Sequence, residues 1–181
     1  QGPTVVMVTK PFQPLPETHY REGIAVILSS VQRNHPRALD PAIKSCNLLN
    51  SVLAVQEAHD KGALEPIMLN AAGDVAEGAS SNVFLVKGGV LVTPTLDAGI
   101  LPGVTREVLI ERARALGVTV RETTVSVAEL LAADEAFIPI SPKELAPIRT
   151  IDGRPGGEGR PGPVTLRLPA DFRDDAPRPS V

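Results

Sequence analysis

The sequence is poor in aromatic residues and in cysteine. Aromatic side chains make up 3% of its 181 residues, with no tryptophan and one tyrosine, so a buried core has to be built from aliphatic side chains. The single cysteine, Cys46, excludes a disulfide within the chain and is typical of a reducing compartment, which predicts a cytoplasmic protein. The three histidines do not have the spacing of zinc ligands, and we expect no metal site.

Two further absences limit the partners that we expect. No apolar run approaches the roughly 18 residues of a membrane-spanning helix, and no signal-peptide pattern occurs. The net charge of −3 comes from interspersed acidic and basic residues, so neither a nucleic acid nor a membrane surface is expected as the main partner. Hydrophobic residues still make up 43% of the chain, which is enough for a globular domain.

Strand-like and helix-like stretches follow one another irregularly along the chain. Because they do not alternate as in a doubly wound fold, we predict a mixed α/β (α+β) fold, an irregular mixed-sheet pseudo-barrel with flanking helices. A hairpin is predicted at 86–93, around Gly88-Gly89. The other predicted strands are 4–9, 23–30, 66–70, 75–86, 118–125, 135–141 and 144–151, and the predicted helices are 45–61, 105–116 and 127–133.

Lys44 stands between the apolar pair Ala42-Ile43 and a predicted amphipathic helix. This position predicts a lysine held part-way into the core, where burial lowers the pKa of the amine and makes it a usable nucleophile for a Schiff base. A lysine whose stem packs on the core while its ammonium reaches water fits the same pattern. Both interpretations are open on this stretch alone.

The run "DVAEGASSNVF", residues 74–84, places one carboxylate among small and polar residues. Glu77 is either a solvated turn acid or a group lying under a flat ligand, with hydroxyls and backbone amides around the polar rim of that ligand. Further along, Gly103 precedes a predicted helix with Thr105 as its N-cap. Backbone N–H groups at a helix start suit a phosphate, although a capped helix without an anion has the same sequence pattern.

In this order and spacing, "IKSCNLLNSVLA", "EGASSNVF" and "ILPGVTR" resemble the class IV aminotransferases, the fold-type IV pyridoxal-phosphate enzymes. The resemblance extends from about residue 2 to about residue 153. It implies pyridoxal 5'-phosphate as cofactor, a homodimer, and transamination between an amino acid, with the branched-chain type favoured, and a 2-oxo acid. The family also includes aminodeoxychorismate lyases, so a lyase is one alternative, and a non-catalytic domain that retains the fold is another.

The resemblance assigns roles to seven residues. Lys44 matches the lysine that forms a Schiff base with the cofactor and then moves a proton, and Glu77 matches the acid at the pyridine nitrogen. The remaining five match further contacts with the cofactor ring or its phosphate, namely Ser80 and Leu101 for the ring and Val104, Thr105 and Ser141 for the phosphate.

Two departures from the family pattern affect these expectations. Family members carry a smaller N-terminal domain that has no counterpart here, so we expect 1–153 to be the large cofactor-binding domain of a longer parent. Residues 154–181 are rich in glycine and proline, and we expect a loosely ordered tail with a helical patch at 164–168. Pro142-Lys143 replaces small residues whose backbone N–H groups bind the substrate carboxylate in branched-chain enzymes. Because proline has no N–H, non-standard substrates and the lyase stay open.

Overall fold

The computed structural model describes residues 2–11, 14–140 and 144–174, and these residues form a mixed sheet of nine strands. The strands are β1 (Ile24–Leu28), β2 (Glu65–Leu69), β3 (Val75–Gly78), β4 (Phe84–Lys87), β5 (Val90–Pro94), β6 (Val120–Thr123), β7 (Glu135–Ile140), β8 (Glu144–Ile151) and β9 (Arg154–Pro155). Their order is β3-β2-β1-β8-β7-β4-β5-β6, with β9 beside β8. β1 runs parallel to β2 and β8, β5 runs parallel to β6, and the other pairs are antiparallel.

Five α-helices flank the sheet in the described residues. They are α1 (Glu17–Glu22), α2 (Leu49–Asp60), α3 (Val104–Ala115), α4 (Val127–Leu131) and α5 (Pro163–Asp174). None of them is long and apolar enough to cross a lipid bilayer. The mixed, curled sheet with helices packed on it confirms the fold class that the sequence predicts.

The core is largely aliphatic, as the scarcity of aromatic residues predicts. Its larger cluster is contributed by β1, β2, β3, β4, β7, β8 and α4, and a second cluster lies between the sheet and helices α3 and α5. In the second cluster Phe84 and Phe137 stack with ring centroids 5.3 Å apart. Full burial of each such side chain contributes about 1.5–3 kcal/mol to folding, so the two clusters hold helices and sheet together.

The segment at residues 4–9 does not form the strand that its sequence predicts. Residues 2–11 have no regular secondary structure, and the side chains of Val5, Val6, Met7 and Val8 are between 74% and 88% exposed. A strand requires a neighbouring strand for its hydrogen bonds, and none of the described strands pairs with this segment. The predicted strand is therefore wrong for this chain taken alone.

The predicted strand at 75–86 is broken in the middle. β3 lies at one edge of the sheet beside β2, whereas β4 lies between β7 and β5. Residues 79–83, of which the first four are small or polar, cross from one part of the sheet to the other. This crossing places the end of β3 and the loop after it beside the turn that precedes α3, and the cavity described below opens there.

The segment after residue 153 is more ordered than its composition predicts. Helix α5 spans 12 residues, and Leu168 is fully buried in the cluster formed with α3. The carboxylate of Glu135, on β7, accepts the backbone N–H groups of Val164 and Thr165 at 3.1 Å and 2.8 Å. The expectation of a loosely ordered tail is thus corrected for residues 163–174, where α5 contains and extends the predicted helical patch at 164–168 and a side chain from a distant strand caps the helix.

Candidate cofactor site

A cavity of about 980 Å³ opens beside the ends of several of these elements. Its walls are the loop before α2, one face of α2, the loop after β3 and the turn before α3. Ser141, one of the seven residues singled out from the sequence, lies outside the described residues. The other six line the cavity together: Lys44, Glu77, Ser80, Leu101, Val104 and Thr105.

Glu77, near the end of β3, is 5% exposed and receives three hydrogen bonds. Its Oε1 accepts from Arg33 Nε at 2.7 Å. Its Oε2 accepts from the backbone N–H of Leu101 at 3.0 Å and from the amide of Asn82 at 3.4 Å. A carboxylate has about four acceptor positions, so these three donors leave about one for a ligand.

The charge state of Glu77 depends on two opposing effects. Burial raises the pKa of the carboxyl, whereas the positive charge of Arg33 and the N–H of Leu101 lower it, with a smaller contribution from Lys44. Arg33 is therefore the main cation that favours the ionised acid. Arg33 is not among the site residues predicted from the sequence, although a buried acid needs a cationic partner and the loop before Lys44 carries arginines.

A second buried acid, Glu65 on β2, holds the small-residue loop in place. Its Oε1 accepts from the backbone N–H and hydroxyl of Ser80 at 2.9 Å and 3.3 Å, and from the hydroxyl of Ser81 at 2.9 Å. At Gly78 an added Cβ would lie 2.2 Å from Ser81 Oγ and 2.7 Å from Glu65 Oε1. The loop is thus composed of small residues because it folds closely over Glu65.

The start of helix α3 forms another wall of the cavity. The helix begins at Val104 with Gly103 as its N-cap, and no cap side chain accepts a hydrogen bond from its first turn. The prediction of Thr105 as N-cap is wrong by two positions. Gly103 itself has no side chain to accept from these backbone N–H groups, and a helix start of this kind suits an anion. Arg106, 3% exposed, anchors this turn by donating to the carbonyl of Pro94 and to Glu122, each at 2.9 Å.

Lys44 lies in the loop before α2 and is exposed. Of the two interpretations of Lys44, the one that buries it part-way into the core is wrong for this chain, because the loop and the first turn of α2 lie on the surface. Ile43 and Leu49 are 61% and 64% exposed. Lys44 nevertheless lines the same cavity as Glu77, and its charge acts on the pKa of that acid.

A family model described as amino-transferase class IV matches residues 1–151. The chain belongs to this family. Over 172 residues it is 40% identical to a putative branched-chain-amino-acid aminotransferase of Methanocaldococcus jannaschii, and this match covers 95% of the chain and 59% of that protein. The class IV assignment thus agrees with the motifs that carried the resemblance.

Solved structures agree with this class IV assignment. The Escherichia coli branched-chain amino acid aminotransferase superposes with a TM-score of 0.88 at 39% identity, covering 92% of this chain and 55% of that one. The branched-chain amino acid aminotransferase from Thermobaculum terrenum, in its PLP-bound holo form, gives a TM-score of 0.83 at 38% identity, with 89% and 53% covered. The chain therefore spans between about half and three fifths of the length of these relatives.

Proposed function

We propose that this chain is the cofactor-binding domain of a longer, pyridoxal-phosphate-dependent aminotransferase that transfers an amino group between a branched-chain amino acid and a 2-oxo acid. The observation that carries the proposal is the Glu77 carboxylate, which has three donors and about one acceptor position left, in a cavity that Lys44 and the start of α3 also line. The relatives named above are all called branched-chain aminotransferases, which favours this activity over the lyase and over a non-catalytic domain.

The residues of the cavity fit pyridoxal phosphate in their chemistry. The remaining acceptor position of Glu77 suits the protonated pyridine nitrogen, and Leu101 and Ser80 are assigned to the ring. The helix-start amides at Val104 and Thr105 suit the phosphate. The hydroxyl of Ser141, which is also assigned to the phosphate, stays a prediction. When bound, the cofactor supplies an electron sink for the pair released from the amino acid Cα.

Three side chains of this chain have distinct tasks in the proposed reaction. Among the described residues that line the cavity, Lys44 is the one that carries a primary amine. In the proposed reaction its Nζ takes the proton from Cα of the amino acid substrate and later returns it. Glu77 would hold a proton on the pyridine nitrogen of the bound cofactor through the acceptor position that its other donors leave. Arg33 favours the ionised form of Glu77 through the ion pair between its Nε and Glu77 Oε1.

The parent protein is proposed to be a cytoplasmic homodimer. Cys46 is exposed and is the one cysteine of the chain, which agrees with a reducing compartment. The apolar face that the sequence assigns to α2 is largely uncovered, and it continues the rim of the cavity. Exposed apolar patches of this kind mark interaction surfaces. Its side chains, between 52% and 58% exposed at Leu48, Val52 and Leu53 and 64% exposed at Leu49, are joined by Ile43 of the preceding loop, which is 61% exposed.

Visible absorption of the purified parent tests the function. After addition of pyridoxal phosphate, we expect a band that disappears when a branched-chain amino acid is added. Lys44→Ala should lack this band. Lys61→Ala is the matched control, because Lys61 pairs with Glu57 at 2.8 Å on α2, away from the cavity, and it should behave as the wild type. A band that survives in Lys44→Ala would contradict the assignment, and release of pyruvate from aminodeoxychorismate would favour the lyase.

A further inference from the structure

The side-chain amide of Asn82 joins two walls of the cavity. Asn82 is 6% exposed and lies at the end of the loop between β3 and β4. Its Nδ2 donates to the carbonyl of Leu101 at 3.1 Å and to Oε2 of Glu77 at 3.4 Å. Its Oδ1 lies against Gly103, where an added Cβ would be 2.2 Å away. The nitrogen of the amide is therefore bound to both walls, and its oxygen lies close to the backbone of Gly103.

Leu101, Glu77 and Asn82 are joined to one another in a ring of three hydrogen bonds. The backbone N–H of Leu101 donates to Glu77 Oε2 at 3.0 Å, and its carbonyl accepts from Asn82. The end of β3 and the turn before α3 are thus connected twice, once directly and once through Asn82. Because these groups are largely shielded from water, moving the turn away from Glu77 leaves buried donors and acceptors without partners, at about 1–3 kcal/mol for each group.

We propose that Asn82 is a positioning residue that fixes the distance between the Glu77 carboxylate and the start of α3. This inference rests on the proposed function, in which Glu77 holds the pyridine nitrogen and the helix start holds the phosphate of one cofactor. A rigid ligand that is bound at both ends requires the two groups that bind it to be held at a fixed distance from each other. The task requires a hydrogen-bond donor at position 82, and an acid there would repel Glu77 and could not donate to Leu101.

Asn82→Asp in the full-length parent tests the role of the amide. Loss of the two donated hydrogen bonds and the new like charge should weaken pyridoxal-phosphate binding by about tenfold or more. The added carboxylate also raises the pKa of its neighbour Glu77. The acid limb of the amino-acid half-reaction rate should therefore move to higher pH, which a purely structural loss would not cause.

Asn70→Asp is the matched control for this substitution. Asn70 Oδ1 only accepts, from the backbone N–H groups of Ala72 and Asp74, and aspartate retains that acceptor. Cofactor affinity and the pH profile should match the wild type. If Asn82→Asp binds the cofactor as tightly as Asn70→Asp and shows the same acid limb, the positioning role is wrong.

A double-mutant cycle with Gly103 tests the contact at the other end of the amide. The Cβ of Gly103→Ala displaces Oδ1 of Asn82, so this variant should lose at least as much cofactor affinity as Asn82→Ala. Once Asn82→Ala has removed the amide, adding Gly103→Ala should cause little further loss. Additive losses would overturn the inference, and the cycle stays informative when single variants are destabilised because it compares variants with one another.

Failure of this inference differs from failure of the proposed function. A wild-type parent without a Lys44-dependent cofactor band overturns the function, and the role of Asn82 with it. A wild type that binds pyridoxal phosphate, together with unaffected Asn82 variants, overturns the role of Asn82 alone. Thermal unfolding of the cofactor-free variants, measured in parallel, separates loss of the site from loss of the fold.

Discussion

Replacing Arg33 by glutamine removes the cation that faces Glu77. Arg33 Nε lies 2.7 Å from Glu77 Oε1, and the two side chains are 14% and 6% exposed. Removal of one partner from a buried ion pair costs about 3–5 kcal/mol. Arg33 is partly hydrated, and Glu77 retains the donors of Leu101 and Asn82. We therefore expect the lower end, about 3 kcal/mol of unfolding free energy at pH 8.

The effect of Arg33→Gln should depend on pH in one direction. Burial raises the pKa of Glu77 above its ordinary value of 4.5, so the folded protein binds this proton more tightly than the unfolded chain. Such a group contributes stability that is complete below the ordinary pKa and is lost as pH rises through the folded pKa. Without Arg33 the pKa of Glu77 in the folded protein is higher still. The variant therefore loses more stability than the wild type as the pH rises. The free-energy difference between wild type and variant should be small near pH 4.5 and largest at pH 8.

Urea unfolding of the cofactor-free parent, followed by circular dichroism at several pH values, measures this difference. Arg37→Gln, an exposed arginine on the same loop, is the control and should change little. Arg33→Gln combined with Glu77→Gln replaces the ion pair by two neutral amides and should recover most of the loss at pH 8. A difference of the same size at pH 4.5 and pH 8 would refute the reasoning, because the loss would then come from packing and not from charge.

Two other predictions concern the surfaces of α2 and α5. The double substitution Leu49→Asp and Val52→Asp should convert a dimeric parent to a monomer in analytical ultracentrifugation. Leu166→Asp, at an exposed position of α5, is the control and should leave the dimer intact. An unchanged sedimentation coefficient of the double variant would contradict the proposed interface. Leu168→Ala should lower the free energy of unfolding by about 2–5 kcal/mol, and Leu166→Ala by less than about 0.5 kcal/mol. Equal effects in urea unfolding would contradict the docking of α5.

Local pattern was enough to predict most elements of the sheet. β1 and β2 are short and mostly apolar, and the hairpin between β4 and β5 turns at Gly88 and Gly89, both with positive φ. The prediction errors occur where the local structure depends on a segment that is distant in the sequence. Residues 4–9 have strand composition but no strand beside them among the described residues, and the capping acid of α5 lies on β7.

In the candidate site too, features with a local sequence pattern were predicted, and those that depend on distant contacts were not. Glu77 and the turn before α3 were found because each has a recognisable local sequence. Arg33 and Asn82 were missed because nothing local shows that they turn towards the same carboxylate. The interpretation that Lys44 is partly buried, one of the two that its sequence allows, was wrong for a related reason. The apolar residues around it have the spacing of a core face, yet in this chain they are exposed, and spacing alone does not say which molecule covers such a face.

Two buried carboxylates lie on neighbouring strands, and their hydrogen bonds show which of them is available to a ligand. Glu65 accepts from three groups of the loop after β3, the backbone N–H and hydroxyl of Ser80 and the hydroxyl of Ser81, all at its Oε1. Glu65 is not among the described residues that line the cavity. Glu77 accepts from three groups, one of them the cation Arg33. Glu65 therefore holds the loop together, and Glu77 is the acid that retains both a compensated charge and a position for a further donor.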